Sequence, residues 1–159
     1  MPFRVLVLCT GNSARSQIGE ALIATMGAHR AAGVVEAESA GSRPALRVNP
    51  YAIETLAAHG IAWHSRIPKS IDDIAGRTFD LAITVCDNAR DACPFFPDAA
   101  AQVHWGLPDP ADETEVDAAR AAFAETFDAL WARVTALLSL PLESLSRDDL
   151  RIRAQAIHT

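Results

Sequence analysis

Cys9-Thr10-Gly11-Asn12-Ser13-Ala14-Arg15-Ser16 lies between the apolar run Val5-Leu6-Val7-Leu8 and the segment Ile18-Gly19-Glu20-Ala21-Leu22-Ile23. The first run is short and β-branched enough for a buried strand, and the second reads as the opening of a helix. The stretch is therefore a loop joining a strand end to a helix N-terminus. Unpaired N–H groups and the positive end of the macrodipole collect at such a junction, so the main chain from Thr10 to Ser16 can hold a tetrahedral anion. Arg15, six residues after Cys9, can curl back as a permanently charged fork for two oxygens of one oxyanion. The loop lacks the second glycine and the lysine of the nucleotide-binding pattern G-x4-G-K-[ST].

Cys9 falls at the floor of this cradle. The field that favours an anion also favours a thiolate, so its pKa is expected below the free value of ~8.5. Ser16 can donate a hydrogen bond to the sulfur and add to that effect. A cysteine at a strand end otherwise serves as a small core hydrophobe. The Arg-Ser pair and the strand-to-helix setting select the nucleophile.

The chain has 159 residues, of which 50% are hydrophobic and 21% charged, enough for one domain with one core and not the composition of a disordered segment. A formal net charge of -6 argues against nucleic-acid binding, which needs a basic surface. No apolar run approaches the ~20 residues that cross a bilayer, so no membrane association is expected. Met1-Pro2-Phe3-Arg4 leads into the first strand without the pattern of a secretory signal. A cytoplasmic location is the expectation, and there cysteines stay reduced unless a disulfide is transient and catalytic.

Periodicity and punctuation order the rest. A first helix is expected over about 14–28 and a second strand over Val34–Ala40. A helix follows from Asn49 as N-cap and Pro50 to a stop at Gly60. A short helix is expected over Ser70–Ala75, strands over Phe79–Val85 and about Gln102–Trp105, and a long amphipathic helix from Asp112 to Leu138. Strands alternating with helices predict a four-stranded parallel sheet with helices on both faces, a three-layer α/β/α fold. The domain is expected over 1–138, followed by a polar tail, 139–159, in which Ser146 can start a short helix. Ligands in such folds bind beyond the C-terminal strand ends, where Cys9 and Cys86 both stand.

Cys86 and Cys93 are separated by six residues and followed by Pro94-Phe95-Phe96-Pro97. Zinc fits poorly, because structural sites want closer pairs and four ligands. A mobile loop of that length can bring two sulfurs together, and a cysteine past a strand end can also approach Cys9. Successive exchanges would carry oxidation outward. Asp109, before Pro110, either starts a turn or acts as a general acid.

Cys-x5-Arg-Ser near the N-terminus resembles the signature of the low-molecular-weight protein tyrosine phosphatase fold. The nucleophile loop, Ser39-Ala40-Gly41, Val48-Asn49-Pro50, the Cys-x6-Cys-Pro segment and His104-Trp105-Gly106 through Asp109-Pro110-Ala111 resemble its thioredoxin-coupled arsenate reductase branch. That resemblance implies Cys9 as nucleophile, Arg15 and the 10–16 backbone as oxyanion grip, and Asp109 as general acid. It also implies Cys86 and then Cys93 as relay thiols, with no bound cofactor and thioredoxin as external reductant. Arsenate would be the substrate, with phosphate and sulfate as analogues. Asn12, Glu20 and Ser39 match side chains that hold potassium in some relatives, where Lys69 would stand in for the cation; ordinary loop-shaping hydrogen bonds are the other reading. A dedicated tyrosine phosphatase is the alternative, as is a binding module without turnover. The absence of aromatics after Asp109-Pro110 speaks against the phosphatase, and the Cys9, Arg15 and Asp109 set against the binding module.

Overall fold

The computed structural model describes residues 1–87 and 94–158. In chain order it contains β1 (Phe3–Cys9), α1 (Arg15–Gly27), β2 (Val35–Gly41), α2 (Pro50–Ala58), β3 (Phe79–Thr84), β4 (Ala99–His104), α3 (Val116–Leu138) and α4 (Arg147–Ala156). Short 3-10 turns cover Ile71–Ile74, Pro110–Asp112 and Leu142–Ser144. All strand pairings are parallel, in the order β2-β1-β3-β4. The chain steps from β1 to one side for β2 and to the other for β3. Connections therefore diverge above the C-terminal ends of β1 and β3, and a crevice opens there.

Alternation along β1 divides the core. Val5 and Val7 join Ile18, Leu22, Phe123, Phe127 and Leu130 on one face. Leu6 and Leu8 join Ile74, Phe79 and Phe96 on the other. This is the three-layer α/β/α arrangement. Residues buried on both sides of a strand explain why β1 and β3 read as continuous apolar runs.

Local chemistry sets the element ends. Asn49 Oδ1 accepts from Tyr51 N–H and Pro50 takes the first helical turn of α2. Ser70 and Asp73 form a capping box on the turn that follows. α3 begins four residues later than the expected Asp112, because Asp109 and Pro110 wind a separate 3-10 turn and Glu115 caps the helix at Ala118 N–H. β4 begins three residues earlier than expected, at Ala99. Pairing of Phe79 with Ala99 and Leu81 with Ala101 overrides the weak strand preference of alanine.

Residues 139–158 do not trail from the body. Ser146 caps α4 where the sequence places a helix start, and Leu142, Leu150 and Ala154 are buried in the larger core cluster. Arg30 holds the approach to α4, donating to the carbonyls of Leu138 and Leu140 and pairing with Glu143 at 2.6 Å. No helix among the described residues is long and apolar enough to cross a membrane.

Candidate active site

The loop after β1 is held from outside by the segment after β2. Ser42, Arg43, Ala45 and Asn49 N–H groups donate to the carbonyls of Cys9, Thr10, Gly11 and Ser13, at 3.3, 2.9, 2.9 and 2.8 Å. A trans peptide points its N–H opposite to its carbonyl. Anchoring the carbonyls outward therefore turns the following N–H groups inward, and Asn12 N–H lies 3.2 Å from Cys9 Sγ. α1 carries no side-chain cap at its N-terminus, so its first N–H groups also face the loop. A cavity of about 230 Å³ results, lined by Cys9, Thr10, Gly11, Ser13, Ala14, Arg15 and Asp109.

Asn12 is the hub. Its φ of 50° is left-handed, a conformation asparagine tolerates better than most residues. Its Oδ1 accepts from Lys69 N–H and Gln17 Nε2, which fixes the orientation of the amide. Its Nδ2 then donates to Ser16 Oγ and Ser39 Oγ, both at 2.8 Å. Ser39 Oγ donates onward to Glu20 Oε1 at 2.6 Å, and Ser16 Oγ lies 2.8 Å from Cys9 Sγ, placed to donate to a thiolate there. Two donors thus converge on the sulfur of Cys9, which is 2% exposed and free, and they stabilise negative charge there.

Arg15 is 3% exposed. Its Nη1 donates to Leu107 O at 3.0 Å and its Nη2 lies 3.4 Å from Asp109 Oδ2. Asp109 Oδ1 accepts from Ala111 N–H at 3.0 Å, so the carboxylate that starts the turn also reaches the cavity. Thr10 Oγ1 is buried without a hydrogen-bond partner among the described residues, and its hydroxyl faces the site where a ligand would sit.

The structure brings Cys9, Arg15, Ser16 and Asp109 into one site. Cys86 lies two residues beyond the end of the neighbouring β3; it is fully buried and disulfide-bonded. Cys93 lies outside the described residues.

Glu20 and Ser39 are hydrogen-bonded as a pair, and Lys69 lies near enough to Glu20 to pull on its charge. Its ammonium pairs with Glu38 at 3.1 Å, and Glu38 also binds Arg77 and Arg4. Arg66 makes the direct ion pair with Glu20 at 3.1 Å, stacked 3.8 Å over the ring of Trp63. Burial pushes the Glu20 carboxyl above its usual range, against the opposing pull of Ser39, Lys69 and Arg66. Among the described residues no group of three or more His, Cys, Asp or Glu side chains could hold a metal.

Sequence reasoning missed Gln17, Trp63 and the 42–49 segment. Trp63 Nε1 donates to Gln17 Oε1 at 2.9 Å, and Gln17 steadies both oxygens of Asn12. None of these pairings has a sequence spacing that announces it; the sequence names Asn12 as part of the loop and by resemblance, and its left-handed φ and its role as hub come from the structure.

The parallel sheet, the crevice at its C-terminal edge and the cysteine under an anion cradle define an α/β enzyme built around an oxyanion site. The chain belongs to the low molecular weight phosphotyrosine protein phosphatase family, whose pattern matches residues 4–151. An arsenate reductase of Halalkalibacterium halodurans is 34% identical over 131 residues, covering 82% of this chain and 91% of that protein. The crystal structure of an arsenate reductase from Archaeoglobus fulgidus superposes with a TM-score of 0.65 at 31% identity, covering 82% of this chain and 98% of that one. A low molecular weight protein tyrosine phosphatase from T. tengcongensis shares the fold, with a TM-score of 0.64 at 21% identity over 84% of this chain and 95% of that one.

Proposed function

We propose that this enzyme reduces arsenate to arsenite through a three-thiol relay that ends on thioredoxin. Arsenate enters the Thr10–Ser16 cradle, where the inward N–H groups and Arg15 grip its oxygens. Cys9 sulfur attacks arsenic, and Asp109 protonates the oxygen that leaves. Cys86 sulfur then attacks Cys9 sulfur. The arsenic departs as arsenite with the bonding pair, and a Cys9–Cys86 disulfide remains. Cys93 attacks Cys86, freeing Cys9, and thioredoxin reduces the resulting pair.

The observation that carries this reading is a free Cys9 in an oxyanion cradle beside a Cys86 engaged in a disulfide, at the ends of adjacent strands. Two features of the site support a small inorganic oxyanion over an aryl phosphate. Among the described residues the cavity lining includes no aromatic side chain, and Ala111-Asp112 follow Asp109-Pro110. The scheme uses no bound cofactor or metal. The Arg66 guanidinium on Glu20 and the Lys69 ammonium near it supply positive charge there, so potassium should stimulate activity little. An enzyme supplied by thioredoxin belongs in a reducing compartment, the cytoplasm.

The test is arsenate-dependent NADPH oxidation with thioredoxin and thioredoxin reductase, in the wild type and in Cys93→Ser. Steady turnover in the wild type, cut to about one event per enzyme in the variant, supports the relay. Absent arsenate turnover with aryl-phosphate hydrolysis untouched by the substitution would make the protein a phosphatase.

A further inference from the structure

His104-Trp105-Gly106 is conspicuous in the sequence, and the reaction above gives it no task. The structure places it at the exit of β4, the edge strand beside β3. Gly106 is where the chain passes the Cys86 peptide: a Cβ there would lie 2.7 Å from His104 Nε2 and 3.4 Å from the Cys86 carbonyl oxygen. The His104 ring is not free to yield, since its Nδ1 lies 2.7 Å from Thr84 Oγ1. Trp105 N–H donates to Thr84 O at 2.7 Å, which ties the same turn to the strand that leads into Cys86.

The outer side of this turn is closed by α4. Gln155 Oε1 accepts from His104 N–H at 2.8 Å and its Nε2 donates to His104 O at 2.7 Å. One side-chain amide thus makes the pair of bonds that a further strand would make to an exposed edge. Trp105 Nε1 donates to Ala154 O at 2.9 Å, and Trp105 is 1% exposed. The helix is therefore fastened to the edge strand next to the residues that flank Cys86.

We propose that His104-Trp105-Gly106, locked from outside by Gln155, sets the position of the Cys86 peptide, so that Gln155 and Gly106 are positioning residues for the disulfide chemistry of Cys86. Use of that chemistry in arsenate reduction rests on the function proposed above, whereas the positioning itself does not. Removing Gln155 frees the edge of β4, and a methyl group at Gly106 pushes His104 and the Cys86 carbonyl apart.

The experiment uses the full chain as wild type, Gln155→Ala and Gly106→Ala. Each protein is equilibrated in mixtures of reduced and oxidised dithiothreitol, and the oxidised fraction of Cys86 is read by alkylation and mass spectrometry. The alkylation rate of Cys9 by iodoacetamide reports the nucleophile loop in the same samples. Both substitutions should shift the Cys86 equilibrium by about tenfold, the scale of losing two hydrogen bonds or displacing a packed peptide, with the Cys9 rate within about twofold of wild type. A Cys86 equilibrium unchanged in Gln155→Ala would overturn the proposal. So would an equal change at Cys9, which would make the effect one of general loosening. A wild type that turns over no arsenate, with the Cys86 shifts present, would overturn the reaction and leave the positioning supported.

Discussion

Replacing Gly41 by alanine puts a methyl group where the structure has no room for one. An ideal Cβ would stand 2.4 Å from Thr10 O, 3.0 Å from Asn12 N and 3.1 Å from Asn12 Cβ. A carbon–oxygen contact is comfortable at ~3.3 Å, so the nucleophile loop or the end of β2 must give by about 0.9 Å. Neither is free to retreat. Gly41 N–H donates to Lys69 O at 2.9 Å, and Thr10 O accepts from Arg43 N–H at 2.9 Å. The displacement therefore falls on the peptides that aim N–H groups at the oxyanion and at Cys9. A misplacement of about 1 Å at a reacting centre costs on the order of 100-fold in rate, and overpacking costs ~1–3 kcal/mol of stability. In a domain of this size each kcal/mol lowers Tm by about 2–4 °C. Arsenate turnover by the thioredoxin-coupled assay gives kcat/KM, and a thermal melt of the same protein gives Tm. Gly41→Ala with kcat/KM within about threefold of wild type would refute the claim that β2 and its exit brace the anion loop.

Arg15→Lys keeps a charge and loses the planar fork, so sulfate affinity measured by calorimetry should fall about tenfold or more; unchanged affinity would mean the main chain binds the anion alone. Asp109→Asn should lower kcat for arsenate by about 100-fold or more while sulfate still binds, as expected for a proton donor; an unchanged kcat removes Asp109 from the reaction. The Glu20 carboxyl is held above the usual 4.5, so the folded protein binds its proton more tightly than the unfolded chain. Its contribution to stability falls as pH rises from about 4.5 through the folded value. Glu20→Gln should flatten that slope in denaturant melts, and an identical slope would contradict the assignment. Arg66→Met removes the cation in direct contact with Glu20 and leaves Lys69, so potassium should stimulate the variant more than the wild type, which should be nearly unaffected; strong stimulation of the wild type would sink the idea that these side chains make the ion dispensable.

The strand-to-helix loop at Cys9–Ser16 was legible because its information is local. A buried-strand pattern, a helix pattern and the Cys9-to-Arg15 spacing between them specify a strand-to-helix turn, and peptide geometry makes such a turn an anion site. The order of elements and the parallel sheet were legible for a similar reason, since alternating strands and helices leave few topologies. Element ends were less so. The start of α3 moved because Asp109 and Pro110 wound a separate turn, and β4 began at Ala99 because register with β3 outweighed the preferences of three alanines.

What only the tertiary structure decided are pairings between residues far apart in the chain. Sequence similarity nominated Lys69 as a cation near Glu20, where it does act on the carboxylate while paired with Glu38; the path of the 59–70 segment adds Arg66, stacked on Trp63 and in direct contact with Glu20. The polar C-terminal segment read as a tail because α4 buries only Leu150 and Ala154, too few to announce a docking face. It is held instead by the Gln155 amide on the His104 backbone and by the Ala154 carbonyl on Trp105. Local propensity and periodicity are written within a few residues of themselves. A hydrogen bond across the sheet depends on where two distant backbones come to rest, and only the packed fold specifies that.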